Sequence, residues 1–411
     1  MRFVVFAVLF AVCAPNTIGA QSADPRVRAA LDQIRTGNSW ILDKQRTLCQ
    51  VPAPPFKEAA RSVAFRAEMV ALGYAGTRTD SLGNVIAEVS GAPGPTVMLA
   101  AHLDTVFPEG TRVAVRASGT RLEGPGISDD CRGLAVVLAV ARAFHDQKIA
   151  PRGRVIFIAN VGEEGPGNSR GVHWLLEREF KGRVNYFISV DGAGQTVTTR
   201  AVGSHRYTFT ISGPGGHSYG DFGMPSPVHA LGRAIAKIDE IQVPTTPRTT
   251  FNVGVIRGGT SVNSIAMQAQ MDVDMRSESA EALADVDRKI RAAVDAGIAD
   301  EQKRWPNSPV RLSVRVDTVG MRPVGRQNDD APIVRAVLAA AKEAGLAPVT
   351  ASASTDANVP MSLGIPAVTI DGGGRADGAH SVSEWYDDGP DGWRGPQWAL
   401  LAVLALLSAD R

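Results

Sequence analysis

The chain has 411 residues, of which 44% are hydrophobic, and its formal net charge at pH 7 is +1. This length exceeds what one ordinary hydrophobic core supports, so we expect two domains. The near-zero net charge gives no electrostatic reason to expect nucleic acid or an anionic membrane as a partner. The 42 glycines and 25 prolines fit a loop-rich α/β fold rather than a helical bundle.

The N-terminus has the pattern of a targeting segment, and we predict that residues 1–20 are a signal peptide. Arg2 supplies a positive charge, residues 3–12 are apolar, and Ile18-Gly19-Ala20 is a small-residue cleavage site. The apolar run is too short to span a bilayer. We therefore expect a mature chain that starts near Gln21, is exported to the periplasm or secreted, and has no stable membrane insertion.

Two cysteines remain after signal cleavage, because Cys13 leaves with the signal. An oxidising compartment would permit a disulfide between Cys49 and Cys131. Two unpaired buried thiols are an equally good interpretation of the sequence.

Alternating strands and helices in the first half of the chain predict a mostly parallel sheet flanked by helices. Asp24 is a predicted N-cap for a helix that reaches about Gln50, and a second helix follows over about 56–72. A strand pair turns at Gly83-Asn84. Apolar strands over 96–101, 154–160 and 185–190 have the composition of strands buried on both faces, and helices over about 134–146 and 169–180 separate them.

From about His205 the pattern changes to strand, helix, two strands, helix and strand, which is the ferredoxin-like order. We predict that residues 205–317 form an inserted α+β domain. Residues 21–204 and 318–411 would then form the α/β domain, to which a helix over about 332–344 and a final apolar helix over 393–407 return.

Polar side chains that can bind metal follow the predicted strands or lie in glycine-rich loops, where open α/β sheets place their sites. They are His102, Asp104, Asp129, Glu163, Glu164, Asp191 and His380. Two imidazoles and three carboxylates, one of them shared, suit a pair of zinc ions, with cobalt or manganese as substitutes. The second ring N–H of His102 would find an acceptor in Asp104. One member of the Glu163–Glu164 pair can bind metal while the other acts as a general base.

Each of these residues also has an ordinary structural interpretation. Asp129 and Asp130 precede a helix and could simply cap it. A histidine after a strand is usually structural, and a Glu-Glu pair usually lies in a solvated loop. The common placement at strand ends is what favours a site.

The motifs AHLDTVFPEG, GPGISDDCRG, GEEGPGNSRG, SVDGAG and GAHS together resemble the dizinc metallopeptidase family M20, which includes peptidase T, glutamate carboxypeptidases and acetylornithine deacetylase. The resemblance implies that His102 and Asp191 bind one zinc ion, that Glu164 and His380 bind the other, and that Asp129 bridges them. It assigns Glu163 as the general base. It assigns Asp104 as a residue that contacts a zinc ligand without binding zinc itself. It also implies a cis peptide bond between Asp129 and Asp130.

For the inserted domain, the resemblance implies a lid that mediates a homodimer. His217 would stabilise the tetrahedral oxyanion at a neighbouring active site, and Asn263 and Arg276 would bind the terminal carboxylate of the substrate. Cys131 stands where many relatives carry lysine, and we assign it no role.

The predicted function is hydrolysis of an amide bond in a small peptide with a free terminus. A deacylase for N-acyl amino acids is the alternative within the family. A metal-free binding module is the alternative from another class, although no predicted ligand is missing from the sequence.

Overall fold

The computed structural model describes residues 23–408, so the predicted signal peptide lies outside the described residues. The helices are α1 (Pro25–Thr36), α2 (Asn38–Cys49), α3 (Ala59–Ala71), α4 (Cys131–Asp146), α5 (Arg170–Trp174), α6 (Pro227–Asp239), α7 (Ala280–Arg304), α8 (Pro332–Glu343), α9 (Asn358–Ser362) and α10 (Arg394–Leu407). A π-helical turn over Leu175–Glu179 directly continues α5, where the sequence predicted one helix over 169–180.

The strands are β1 (Arg78–Thr79), β2 (Val85–Ser90), β3 (Ala92–His102), β4 (Arg116–Ser118), β5 (Arg121–Glu123), β6 (Arg152–Asn160), β7 (Tyr186–Val190), β8 (Thr196–Ala201), β9 (Gly203–Ser212), β10 (Gly216–His217), β11 (Thr249–Gly258), β12 (Ser264–Ile265), β13 (Gln268–Ser277), β14 (Ser313–Arg322), β15 (Gly325–Arg326), β16 (Val349–Ala353), β17 (Ala367–Ile370), β18 (Arg375–Asp377) and β19 (Trp385–Asp387). They form three larger sheets and the short pair of β10 with β12.

The first predicted helix is two helices, because the chain leaves helical geometry at Gly37. Glycine weakens a helix by roughly 1 kcal/mol relative to alanine, so α1 ends there and α2 begins at the next residue. Asp24 is the N-cap, as predicted, and its side chain accepts a hydrogen bond from Arg26 N at 2.7 Å.

The main sheet has the strand order β1-β2-β6-β3-β7-β17-β8-β15, with β16 added beside β8. The central strands β6, β3, β7 and β17 are parallel to one another. The strands outside them pair mostly antiparallel, including the predicted β1–β2 turn. The α/β class is therefore confirmed, with a sheet that is parallel at its centre and mixed at its edges.

Alternate residues of β3 enter two separate cores, one on each face of the main sheet. Val97, Leu99 and Ala101 pack with helices that include α4 and α10. Met98 and Ala100 pack with residues of α5 and the π-helical turn. Burial on both faces explains why this strand is a continuous apolar run in the sequence, and it holds the end of β3 rigidly.

Residues 203–322 form a separate unit, which we call the inserted unit. It is built on a four-stranded antiparallel sheet with the order β11-β13-β9-β14. One face packs against α6 and α7 around a core of its own that includes Phe209, Met271 and Leu283. The opposite face carries polar residues, because side chains alternate along a strand. The sheet extends slightly beyond the predicted range of 205–317, and the division into domains stays a prediction.

A third sheet, with the order β18-β19-β5-β4, joins two loops that are distant in the chain. It places the segment after Glu123 beside the segment before Trp385, which are paired across β5 and β19. Among residues 23–408, no helix has both the length and the apolar character that a bilayer crossing requires.

Candidate metal centre

Three neighbouring parallel strands bring predicted ligands to one edge of the main sheet. His102 is the last residue of β3, Asp191 follows β7, and Glu163 and Glu164 lie a few residues beyond β6. His102 Nε2 lies 3.0 Å from Asp129 Oδ1 and 3.9 Å from Asp191 Oδ1. The structure therefore brings these side chains together at the strand ends, as the sequence predicted.

Asp129 lies between two groups of ligand atoms. Its Oδ1 faces His102, whereas its Oδ2 lies 3.1 Å from His380 Nε2. His380 Nε2 is also 3.1 Å from Glu164 Oε1. The ligand atoms of His102, Asp129 and Asp191 lie within 4.8 Å of one another, and so do those of Asp129, Glu164 and His380. A carboxylate shared by two such groups is the arrangement that a bridging ligand requires.

The helix-cap interpretation holds for Asp130 and not for Asp129. Asp130 Oδ1 accepts a hydrogen bond from Gly133 N in the first turn of α4, and its Oδ2 accepts one from His102 N, each at 3.0 Å. The peptide bond between Asp129 and Asp130 is cis, as the family resemblance implied. Asp130 therefore fixes the loop, and the Asp129 carboxylate remains directed at both histidines.

Asp104 lies beside His102 and contacts it mainly through its backbone. The His102 Nδ1 atom faces the backbone carbonyl oxygen of Asp104 at 3.1 Å, whereas the Asp104 carboxylate is 3.7 Å away. That buried carboxylate instead accepts hydrogen bonds from Glu163 N at 3.0 Å and Glu164 N at 2.8 Å. Asp104 thus orients the imidazole through its backbone and the two glutamates through its side chain.

The two adjacent glutamates point to different partners. Glu164 faces His380, and Glu163 Oε1 forms a 2.7 Å ion pair with Arg322 Nη1. Arg322 Nη2 also donates to the Glu163 carbonyl oxygen. The sequence did not identify Arg322, which lies beyond the predicted inserted domain of 205–317 and belongs to none of the motifs, although β14 reaches it in the structure.

The cluster carries more negative charge than its protein partners balance. Burial, together with the charges of Asp129 and Asp130, raises the pKa of Asp191 well above its usual range. Burial also raises the pKa of Glu164, despite its hydrogen bond to His380. Hydrogen bonds to Asp129 and Glu164 raise the pKa of His380 to about 10. The raised pKa values of these carboxyl groups and of the imidazole have one cause in common, which is the concentration of negative charge. Such a concentration of negative charge suits the binding of cations.

The cluster opens into a cavity of about 770 Å³ between the main sheet and the polar face of the inserted unit. Asp129, Glu163, Glu164, Asp191 and His380 lie on one side. The inserted unit contributes a surplus of two positive charges to the lining, from the charged residues Arg206, Arg257, Arg276, Arg322, Asp272 and Asp274. This wall of the cavity therefore suits an anionic group of a ligand, whereas the opposite wall suits cations.

Aspartates hold several arginines of this wall in place, and these contacts engage only some of the N–H donors. Asp274 accepts hydrogen bonds from Arg206 Nε at 2.8 Å and Arg276 Nε at 2.9 Å, one on each oxygen. Asp272 pairs with Arg257 at 3.0 Å. Each contact engages only part of a guanidinium group that carries five N–H donors. Arg276, predicted from the family resemblance, thus lines the cavity and retains donors for a carboxylate.

The other two predicted residues of the inserted unit do not line this cavity. His217 pairs across β10 and β12 with Ser264, and its exposed ring accepts hydrogen bonds from Tyr219 N and Gly220 N, each at 3.2 Å. Asn263 is exposed in the adjacent loop. Within one chain, the fold does not bring either residue to the metal cluster.

The structure pairs Cys49 with Cys131 in a disulfide, which the sequence left open. Their Cα atoms are 5.5 Å apart, and both residues are fully buried. The bond joins the end of α2 to the start of α4, two residues beyond Asp129.

Comparisons with known proteins agree with this geometry. Carboxypeptidase G2 of Pseudomonas sp. (strain RS-16) is 25% identical over 268 residues, a match that spans 62% of this chain and 62% of that protein. The aminopeptidase PepT of Bacillus cereus superposes with a TM-score of 0.70 at 21% identity, covering 90% of this chain and 98% of PepT. The YXEP protein of Bacillus subtilis, described as a dinuclear metal binding peptidase, superposes with a TM-score of 0.64 at 18% identity, covering 90% and 98%.

The solved structures share less than a quarter of their residues with this chain, so they support the fold alone. A family model described as Peptidase family M20/M25/M40 matches residues 98–393, which is most of the chain and includes every predicted metal ligand. The chain belongs to peptidase family M20/M25/M40 and is a hydrolase of that family.

Proposed function

We propose that this protein hydrolyses amide bonds in small peptides or N-acyl amino acids with a free carboxylate, using two zinc ions. The observation that carries the proposal is Asp129, which faces His102 with one oxygen and His380 with the other. Two imidazoles with several carboxylates suit zinc, and cobalt or manganese can occupy similar sites. A bound pair of such ions supplies Lewis acidity, which makes water a nucleophile at neutral pH.

Glu163 is the residue best placed to move protons. It lines the cavity beside the candidate ligands, its backbone N–H is fixed by Asp104, and Arg322 orients its carboxylate. We assign it to accept a proton from the attacking water and then to donate that proton to the leaving amine.

The wall of the inserted unit supports a substrate with a free carboxylate. Arg276 lines the cavity and has N–H donors beyond the one that Asp274 accepts, and a guanidinium binds a carboxylate through two parallel hydrogen bonds. The carboxypeptidase relative is named for action at a carboxyl terminus. A peptide and an N-acyl amino acid both present such a group, so the arginine fits a carboxypeptidase and a deacylase equally.

We also propose that the active form is a homodimer joined through the inserted unit. His217 and Asn263 are exposed and lie outside the cavity of their own chain, which is consistent with service at a second subunit's site. Export to an oxidising compartment is supported by the buried disulfide of Cys49 with Cys131, since such bonds persist mainly outside the reducing cytosol.

The test of this proposal compares substrates that differ only at the terminal carboxylate. Dipeptides, tripeptides and N-acyl amino acids are assayed with zinc-loaded protein, each beside its C-terminal amide. We expect hydrolysis of the free acids and little hydrolysis of the amides. In Arg276→Gln, kcat/KM for the free acids falls by about 10- to 100-fold, since a hydrogen bond to a charged group contributes about 1.5–3 kcal/mol.

Arg315→Gln is the matched control, because Arg315 lies exposed on β14 of the inserted unit and pairs only with Asp317 among the described ion pairs. It should leave kcat/KM unchanged. Equal rates on acids and amides, or an unaltered preference in Arg276→Gln, would reject the carboxylate-binding role. The relative rates on peptides and N-acyl amino acids decide between the two substrate classes.

A further inference from the structure

We propose that Glu384 is a positioning residue that holds the Asp129 loop against the His380 loop and thereby sets the affinity for one of the two metal ions. This inference rests on the proposed two-metal site. Glu384 lies four residues after His380 in the sequence, is fully buried and was not singled out by any sequence motif.

The Glu384 carboxylate accepts its hydrogen bonds from the loop that carries Asp129. Its Oε2 accepts from Gly126 N at 2.9 Å, and its Oε1 accepts from Ser128 N at 2.7 Å, Ser128 Oγ at 2.6 Å and Asp129 N at 3.0 Å. The Glu384 backbone oxygen accepts a further one from Gly124 N at 2.9 Å. One residue therefore binds nearly the whole turn before the bridging aspartate.

Every one of these partners is a donor, so the position calls for a carboxylate in particular. An ionised carboxylate offers only acceptor sites, whereas a glutamine amide turns two donors toward its neighbours. With glutamine, the NH₂ group would face either Gly126 N–H or the N–H groups of Ser128 and Asp129. A buried donor left without an acceptor costs about 1–3 kcal/mol, so the turn would move away from Glu384.

That movement would act unequally on the two ligand groups. His102 and Asp191 belong to the ends of buried strands of the main sheet, which do not depend on Glu384. Asp129 and His380, 3.1 Å apart at their nearest atoms, belong to the two loops that Glu384 joins. We therefore infer that Glu384 mainly supports the ion held by Asp129, Glu164 and His380.

The experiment titrates Co²⁺ into metal-free protein and follows both the visible absorption of bound cobalt and the amount bound. Wild type should bind two cobalt ions per chain. Glu384→Gln should bind the ion held by Asp129, Glu164 and His380 about 10- to 100-fold more weakly, which is the usual effect of removing an outer-shell partner. The other ion loses less affinity, because Asp129 is its only ligand in the displaced loops. The absorption of the weakened ion should also change, since its ligand geometry is altered.

Asp387→Asn provides the matched control, three residues further along the chain at the end of β19. Asp387 accepts hydrogen bonds from Thr120 Oγ1 and Gly389 N and does not contact the Asp129 loop in the described structure. Both cobalt affinities should stay at wild-type values. If Glu384→Gln does not fold, Ser128→Ala removes only the Oγ contact and should weaken the same ion by a smaller factor.

Unchanged cobalt affinities in Glu384→Gln, or equal weakening of both ions, would overturn the inference while leaving the proposed function intact. Unchanged affinities in Ser128→Ala would overturn it when Glu384→Gln cannot be measured. A wild-type protein that binds fewer than two ions would overturn the proposed function, and this inference with it.

Discussion

The loops at the edge of the main sheet and the loops of the inserted unit differ in how the chain positions them. His102, Asp129, Glu164 and His380 form a connected cluster with nearest contacts of 3.0–3.1 Å. His217 and Asn263 lie in exposed loops and do not line the same cavity. Both sets were predicted as site residues, yet only the first is assembled by one chain.

The difference follows from the structural elements that hold each set of residues. Parallel strands buried on both faces fix where their last residues lie, and a buried carboxylate or backbone N–H then fixes the loop that follows. His217 instead lies exposed in the short pair of β10 with β12, outside the cavity of its own chain. The comparison therefore separates residues that one chain brings together from residues for which we propose a role at a second subunit's site.

The largest effect is expected for Asp129→Ala, which tests whether the first set works as one unit. The substitution removes a ligand from both groups and leaves two cations facing each other without a shared anion. Zinc content, measured by mass spectrometry, should fall further than in His102→Ala or His380→Ala, each of which belongs to only one of the groups that contain Asp129. Equal zinc loss in all three variants would contradict a bridging role.

A smaller effect is expected for His217→Ala, which tests whether the second set acts across subunits. An oxyanion donor stabilises charge that exists only in the transition state, so kcat should fall by about 10²- to 10³-fold with zinc content unchanged. Mixing His217→Ala with Glu163→Gln subunits should then restore activity. A mixed dimer contains one complete site, made by the intact Glu163 of one subunit and the intact His217 of the other.

With free exchange of equal amounts, half of the dimers are mixed and each has one complete site, so activity should recover to about a quarter of the wild-type rate. Mixing Glu163→Gln with Asp129→Ala serves as the control, because no site in that mixture joins an intact Glu163 to an intact Asp129. Verified mixed dimers without activity, or a fully active monomer, would show that His217 does not act in trans.

Sequence reasoning predicted the members of the cluster partly because residues that end neighbouring parallel strands are close in space. His102 and Asp191 are examples, and the glycine-rich loop of Asp129 followed from its motif. The ferredoxin-like strand order of the inserted unit was also readable, since each of its helices and strands has a clear period.

The remaining features depend on contacts between distant segments. Arg322 lies 159 residues from Glu163, and Glu384 lies 255 residues from Asp129, so no local pattern connects them. The same holds for the pairing of Cys49 with Cys131, which the sequence separates by 82 positions. The hydrogen bonds from Glu163 N and Glu164 N to the Asp104 carboxylate also join separate loops, so the sequence did not predict them.

The central claim is that two metal ions and the Glu163 carboxylate act together in one chain's cluster. The most direct measurement is turnover of a peptide substrate during zinc titration of metal-free wild type and Glu163→Gln, with bound zinc counted in the same samples. We predict that wild-type activity reaches its maximum at two zinc ions per chain. Glu163→Gln should bind the same two ions while turning over about 10²- to 10⁴-fold more slowly. Full activity without metal, or a Glu163→Gln variant that loses zinc yet keeps its activity per bound ion, would contradict the account.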